Sequence, residues 1–247
     1  MMGLSAAMSE VYESERYVGE YLLFHYGSAE EILTWPGGPK EALDFPLRTA
    51  GHFSDGQVER ALDVGCAVGR SSLEMSRHAD EVIGIDFSEA FISVAEKVRA
   101  GEEVRYERLE EAGMMTPLQV QLPEGVVPER VSYEVGDAMS LRENLGSFDR
   151  VHAANLVCRL PEPRRFLARL SDLVKSGGEL VLATPCTWLE EFTAKENWPK
   201  GSTAEWLENE LGGDFELVSK ADEPFLIRET ARKFQWTVSM VTNWVRR

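Results

Sequence analysis

The chain has 247 residues, of which 43% are hydrophobic and 28% charged, enough to bury a substantial core and too balanced for a disordered or membrane-embedded protein. A formal net charge of −16 with no basic run argues against a nucleic-acid partner, because the average field repels a polyanion. No stretch approaches the ~18–20 apolar residues of a membrane span, and Met1 to Arg16 lacks the layout of a secretion signal.

The first segment, residues 1–57, reads as a helical cap or lid. It carries a helical pattern at Tyr17, Val18, Tyr21, Leu22 and His25 and a break at Pro36 to Pro39. Residues 58–247 then alternate short β-branched runs with helical patterns. Arg60 to Cys66 and Glu81 to Asp86 are predicted as buried parallel strands, with Ser88 capping a helix that runs to about Arg99. Gly101 to Arg130 is an insertion, long for a plain connection and suited to a substrate wall.

Further strands are predicted at Val131 to Gly136, Phe148 to Asn155 and Gly178 to Thr184. The helix before the last of these repeats Phe166, Leu167, Leu170, Leu173 and Val174 and stops at Gly177-Gly178. Ser202 and Glu205 form a capping box for a helix to Leu211. Phe215 to Lys220 reads as a strand, and period-two alternation from Phe234 to Trp244 predicts a long last strand. This is an α/β fold built from βαβ units around a parallel sheet, in effect one domain.

Three scattered cysteines, Cys66, Cys158 and Cys186, make no disulfide framework and suit a reducing cytoplasm. The four histidines have no metal-site spacing, so no metal is expected. The chemistry concentrates at Leu62-Asp63-Val64-Gly65-Cys66-Ala67-Val68-Gly69-Arg70, where the first strand turns into a helix. Glycines there let backbone turn sharply and approach a ligand. A NAD loop would read G-x-G-x-x-G, but Ala67 fills the middle position, where its methyl requires a negative φ. Asp63 would also repel a pyrophosphate, whereas it suits a ligand with an amino group. Asp86 ends the second strand, where a carboxylate can accept ribose hydroxyls, with Phe87 beside it. Asp137-Ala138 ends the third, where Asp137 can accept from an adenine amino group. Asp63, Asp86 and Asp137 thus fall at successive strand ends, although each alone could be a helix cap.

This combination resembles the class I S-adenosylmethionine methyltransferases. Asp63, Gly65, Cys66, Ala67 and Gly69 are similar to their first motif, Asp86 to their ribose acid and Asp137-Ala138 to their adenine contact. The resemblance implies S-adenosylmethionine as cofactor, S-adenosylhomocysteine as product, and a Rossmann-like, seven-stranded sheet with an antiparallel last strand.

A narrower resemblance runs from about Tyr12 over nearly the whole chain. It rests on Tyr21-Leu22-Leu23-Phe24-His25-Tyr26-Gly27, the glycine loop to Ser72, Ala153-Ala154-Asn155-Leu156, Thr187-Trp188-Leu189-Glu190-Glu191 and Pro224-Phe225-Leu226-Ile227-Arg228-Glu229. These resemble the 4-mercaptohistidine N1-methyltransferases, which often form the C-terminal domain of ovothiol-forming enzymes. The resemblance implies methylation of the imidazole π-nitrogen of 5-thiohistidine to give ovothiol A, with a separate sulfoxide synthase and lyase upstream.

On that reading Asn155 orients the imidazole, while His25 and Tyr26 close over the site. Arg159 or Arg228 binds the substrate carboxylate, Trp188 and Glu190 supply a wall and an amine contact, and Arg48 holds the cofactor carboxylate. Each also has a plainer role as packing, turn or surface ion pair. The competing readings are a methyltransferase for another small amine, thiol or hydroxyl, a catalytically silent methyltransferase-like subunit, and a NAD-dependent oxidoreductase.

Overall fold

The computed structural model describes residues 14–247, so residues 1–13 of the expected 1–57 cap lie outside the described residues. The chain opens with α1 (Glu15–Tyr26), capped by Ser14, whose hydroxyl accepts the Tyr17 amide. A capping box between Ser28 and Glu31 starts the single turn α2 (Ala29–Ile32), and α3 (Phe45–Ala50) begins with proline in its first turn.

The sheet then begins with β1 (Val58–Val64), α4 (Arg70–Met75), β2 (Ala79–Asp86) and α5 (Glu89–Arg99), the last capped by Ser88 as expected. After the insertion come β5 (Val131–Val135), β6 (Phe148–Ala154), α6 (Pro163–Leu173), β7 (Val174–Thr184) and α7 (Thr203–Leu211). The long pair β8 (Phe215–Arg228) and β9 (Phe234–Arg246) completes the chain. The seven-stranded order is β5-β2-β1-β6-β7-β9-β8, all parallel except β9, which is antiparallel to both neighbours. The expected Rossmann-like architecture is therefore present.

Both sheet faces are buried. Leu62 and Val64 join one core with Phe148, Phe166 and Leu170, while Ala61 joins another with Leu22, Leu73 and Phe91. That explains why the central strands read as continuous apolar runs.

Three elements differ from expectation. The insertion holds its own antiparallel hairpin, β3 (Arg105–Glu111) and β4 (Met114–Gln119), turned at Ala112, whose φ is +49°. Strand β7 starts before Gly177-Gly178, because Gly177 at φ +78° sits in an irregular stretch of the strand pairing. Strand β8 runs eight residues past its expected end at Lys220, since Ala221 to Arg228 stay paired with β9, from Glu223 onward beyond the point where β9 leaves β7. Among the described residues no helix is long and apolar enough to cross a membrane.

Candidate active site at the carboxyl edge of the sheet

The β1–α4 turn is held by its backbone and by buried groups beneath it. Gly65 and Cys66 amides both donate to the Ile85 carbonyl, at 2.7 and 3.1 Å, and the Ala67 amide donates to Asp86 Oδ2 at 2.9 Å. Gly65 and Gly69 have φ of +76° and +87°. At Gly69 a side chain is excluded twice, because any Cβ would collide with the Tyr133 hydroxyl, which donates to the Gly69 carbonyl at 2.8 Å. Ala67 departs from the expected negative φ: it adopts +48°, so the loop carries left-handed strain that a glycine would not. The Cys66 thiol is buried, and burial pushes its pKa up, so it packs without nucleophilic character.

The three aspartates do different things. The Asp86 carboxylate is half-buried and accepts the Ala67 and Ser88 amides, one per oxygen, while burial pushes its pKa up. Each oxygen retains a lone pair for a hydroxyl. Phe87 next to it is 58% exposed, leaving an aromatic face beside the strand ends. Asp137 caps a short 3-10 turn by accepting the Met139 amide at 2.9 Å, with Ala138 buried behind it. Asp63 lies inside the end of β1, as expected, but its carboxylate is engaged by protein groups rather than turned to a ligand. It is 1% exposed, with Oδ1 bonded to His152 Nδ1 at 2.8 Å and Oδ2 to the Ser72 hydroxyl at 2.7 Å. It works from behind the loop.

The N-terminal segment lies directly on this turn. The Tyr26 hydroxyl donates to the Val68 carbonyl at 2.8 Å, and Arg70 reaches back to the His25 carbonyl at 3.1 Å. His25 Nδ1 is buried without a hydrogen-bond partner among the described residues. Burial, and then the nearby Arg70 charge, push the His25 pKa down to about 3, so the ring is neutral. Burial also pushes the Tyr26 phenol up.

Beside the turn, Asn155 follows β6 in a left-handed conformation at φ +55°. Its Oδ1 receives the buried Ser239 hydroxyl at 2.6 Å, and its Nδ2 has no partner among the described residues. Left-handed Ala67, Asn155 and Cys186 fall at the ends of β1, β6 and β7, and such strain concentrates at functional edges.

Five other expected site residues have partners elsewhere. Arg48 pairs with Glu223 at 2.6 Å and bonds the Pro224 carbonyl, joining α3 to β8 instead of serving a cofactor carboxylate. Arg228 is 3% exposed, paired with Glu110 at 2.6 Å and donating to the Glu31 carbonyl, so it offers no charge to a solute. Trp188 packs edge-on against Trp206 and donates to Thr203, a wall within the core. Glu190 is exposed and pairs with Lys195. Arg159 donates to the Thr187 carbonyl at 2.9 Å and lies over Phe192, which fixes the two loops after β6 and β7 to one another.

The sequence reading missed Ser72, Tyr133, His152 and Ser239. A histidine between Val151 and Ala153, inside an apolar parallel strand, was the signal available for His152. It also missed the ribbon that joins the expected cap and insertion into a roof. Beyond the sheet, β8 and β9 continue as a ribbon whose tip meets the insertion hairpin and the cap. Ala231 bonds the Glu110 carbonyl through its amide and the Trp35 indole through its carbonyl, and Arg108 donates to the Glu31 carbonyl.

Residues 62–182 match the family described as a methyltransferase domain. A ubiquinone biosynthesis O-methyltransferase of Coxiella burnetii is 25% identical over 51% of this chain and 43% of its own. A phosphatidylethanolamine N-methyltransferase of Cereibacter sphaeroides is 29% identical over 72% of this chain and 75% of its own. The chain thus spans less than half the length of the ubiquinone relative. Among solved structures, the N-methyltransferase NodS of Bradyrhizobium japonicum with S-adenosylhomocysteine superposes with a TM-score of 0.54, at 15% identity, over 93% of this chain and 98% of its own, a likeness of fold. Residues 62–182 are accordingly similar to a methyltransferase domain, and the relatives that the chain matches include O- and N-methyltransferases.

Proposed function

We propose that this chain is an S-adenosylmethionine-dependent N-methyltransferase whose acceptor is the imidazole π-nitrogen of 5-thiohistidine, the product being ovothiol A. The observation that carries a small acceptor is the cap locked on the glycine turn through Tyr26–Val68 and Arg70–His25, continuous with a roof built from the hairpin and the ribbon. The choice of thiohistidine rests on the sequence resemblance.

The residues present fit the cofactor. Gly65 is the partly exposed residue of the buried turn, Asp86 keeps lone pairs for a diol, and Phe87 offers an exposed ring. When bound, S-adenosylmethionine supplies a methyl group on a sulfonium that a nitrogen lone pair can displace. The neutral His25 adds no positive charge that would repel that sulfonium, and Asp86 with the −16 net charge favours a cation. The protein's main contribution is alignment, worth ~7–11 kcal/mol at best. Asn155, held by Ser239, presents its Nδ2 as a donor that orients the acceptor ring and favours one tautomer. A ring thiolate raises the electron density of the imidazole, so orientation suffices without a strong base.

The test is a mass-spectrometric assay with S-adenosylmethionine and 5-thiohistidine, histidine or a catechol. A product one methyl heavier from thiohistidine alone supports the proposal. Methylation of histidine at an equal rate, or of the catechol alone, overturns it, and the second outcome points to the hydroxyl chemistry named for the ubiquinone relative.

A further inference from the structure

We infer that His152 is a positioning residue for the cofactor turn, acting through Asp63; the inference rests on reading that turn as the S-adenosylmethionine site. Residues Asp63 and His152 are register partners on neighbouring strands β1 and β6, so their side chains emerge on the same sheet face. The Asp63 carboxylate bridges both ends of the turn. It leads into Gly65 from β1, and it accepts the hydroxyl of Ser72, which stands in α4 just past Gly69. One carboxylate therefore fixes where the turn begins and where it ends, and His152 Nδ1 at 2.8 Å fixes that carboxylate.

A carboxylate only accepts, so the imidazole donates through Nδ1. Its Nε2, in a ring with no exposed surface, has no partner among the described residues. An apolar side chain would have filled the same space without leaving a buried polar atom unpaired. What the histidine provides that an apolar residue cannot is the Nδ1 donor to Asp63.

The experiment measures S-adenosylhomocysteine binding by calorimetry, together with amide hydrogen exchange across residues 65–69, for the full chain. Asparagine places its amide nitrogen where Nδ1 stands, whereas glutamine places it near Nε2. His152→Asn is expected to bind within threefold of the unsubstituted chain. His152→Gln and His152→Leu are expected to bind at least tenfold more weakly, with faster exchange confined to the turn and unchanged protection in the β3–β4 hairpin. If the leucine variant does not fold, the asparagine–glutamine pair carries the comparison alone. Equal binding by the asparagine and glutamine variants overturns the role of His152. Failure of the unsubstituted chain to bind S-adenosylhomocysteine overturns the cofactor reading itself.

Discussion

Ala67 sits at φ +48° in the middle of a turn flanked by two glycines with positive φ, so its methyl group opposes the conformation that the turn requires. The left-handed penalty of about 1–2 kcal/mol is partly offset by the lower entropy of alanine in the unfolded chain. Ala67→Gly is therefore expected to raise stability by about 0.5–1 kcal/mol in denaturant unfolding, without weakening cofactor binding. Gly69→Ala has the opposite sign, since Tyr133 occupies the space and φ is +87°. It should lose about 2 kcal/mol or more and bind cofactor poorly, checked by the same unfolding curves and by titration. The position of these glycines was legible in the sequence; the sign of φ at Ala67 was not, because it is set by the amide bond to Asp86, a residue on another strand.

At the scale of elements, the strand ends bearing Asp86 and Asp137 could be read directly, since alternation and turn residues are local signals. The hairpin β3–β4 could not. Its faces are mostly half-buried or exposed, and Arg105 to Glu111 is dominated by charge, which masks the period of two. The far end of β8 was hidden for a similar reason: Ala221 to Pro224 is polar and ends in proline, and only pairing with β9 makes it a strand. The same blindness misplaced Arg228, whose partners Glu31 and Glu110 lie far away in the chain. Arg228 ties the cap, hairpin and ribbon together. Arg228→Met should cost about 2 kcal/mol, because Glu110 loses a partner yet keeps Arg108 and some solvent. Hydrogen exchange should quicken in α2, β3 and β4 while β1 and β2 stay protected; uniform quickening would contradict the roof.

For the whole molecule, acid sensitivity follows from the cap. Burial holds His25 neutral with a pKa of about 3, below its ordinary 6.5. Between those values the unfolded chain takes up a proton that the folded chain refuses. The stabilisation is complete above pH 6.5 and is lost as pH falls towards 3, at up to about 1.4 kcal/mol per pH unit from this one group. His25→Phe should flatten that segment of the stability profile; an unchanged slope would place the titration elsewhere. Neutral His25 and the half-buried Asp86 are compatible with the cationic cofactor proposed for this edge. The measurement that tests this account most directly is calorimetric titration of S-adenosylmethionine, with NAD as control, into the unsubstituted chain and Asp86→Asn. The account predicts one-site binding of S-adenosylmethionine alone, weakened about ten- to a hundredfold by the substitution through loss of charge-assisted hydrogen bonds. Binding of NAD in its place, or affinity for S-adenosylmethionine that ignores Asp86, would contradict it.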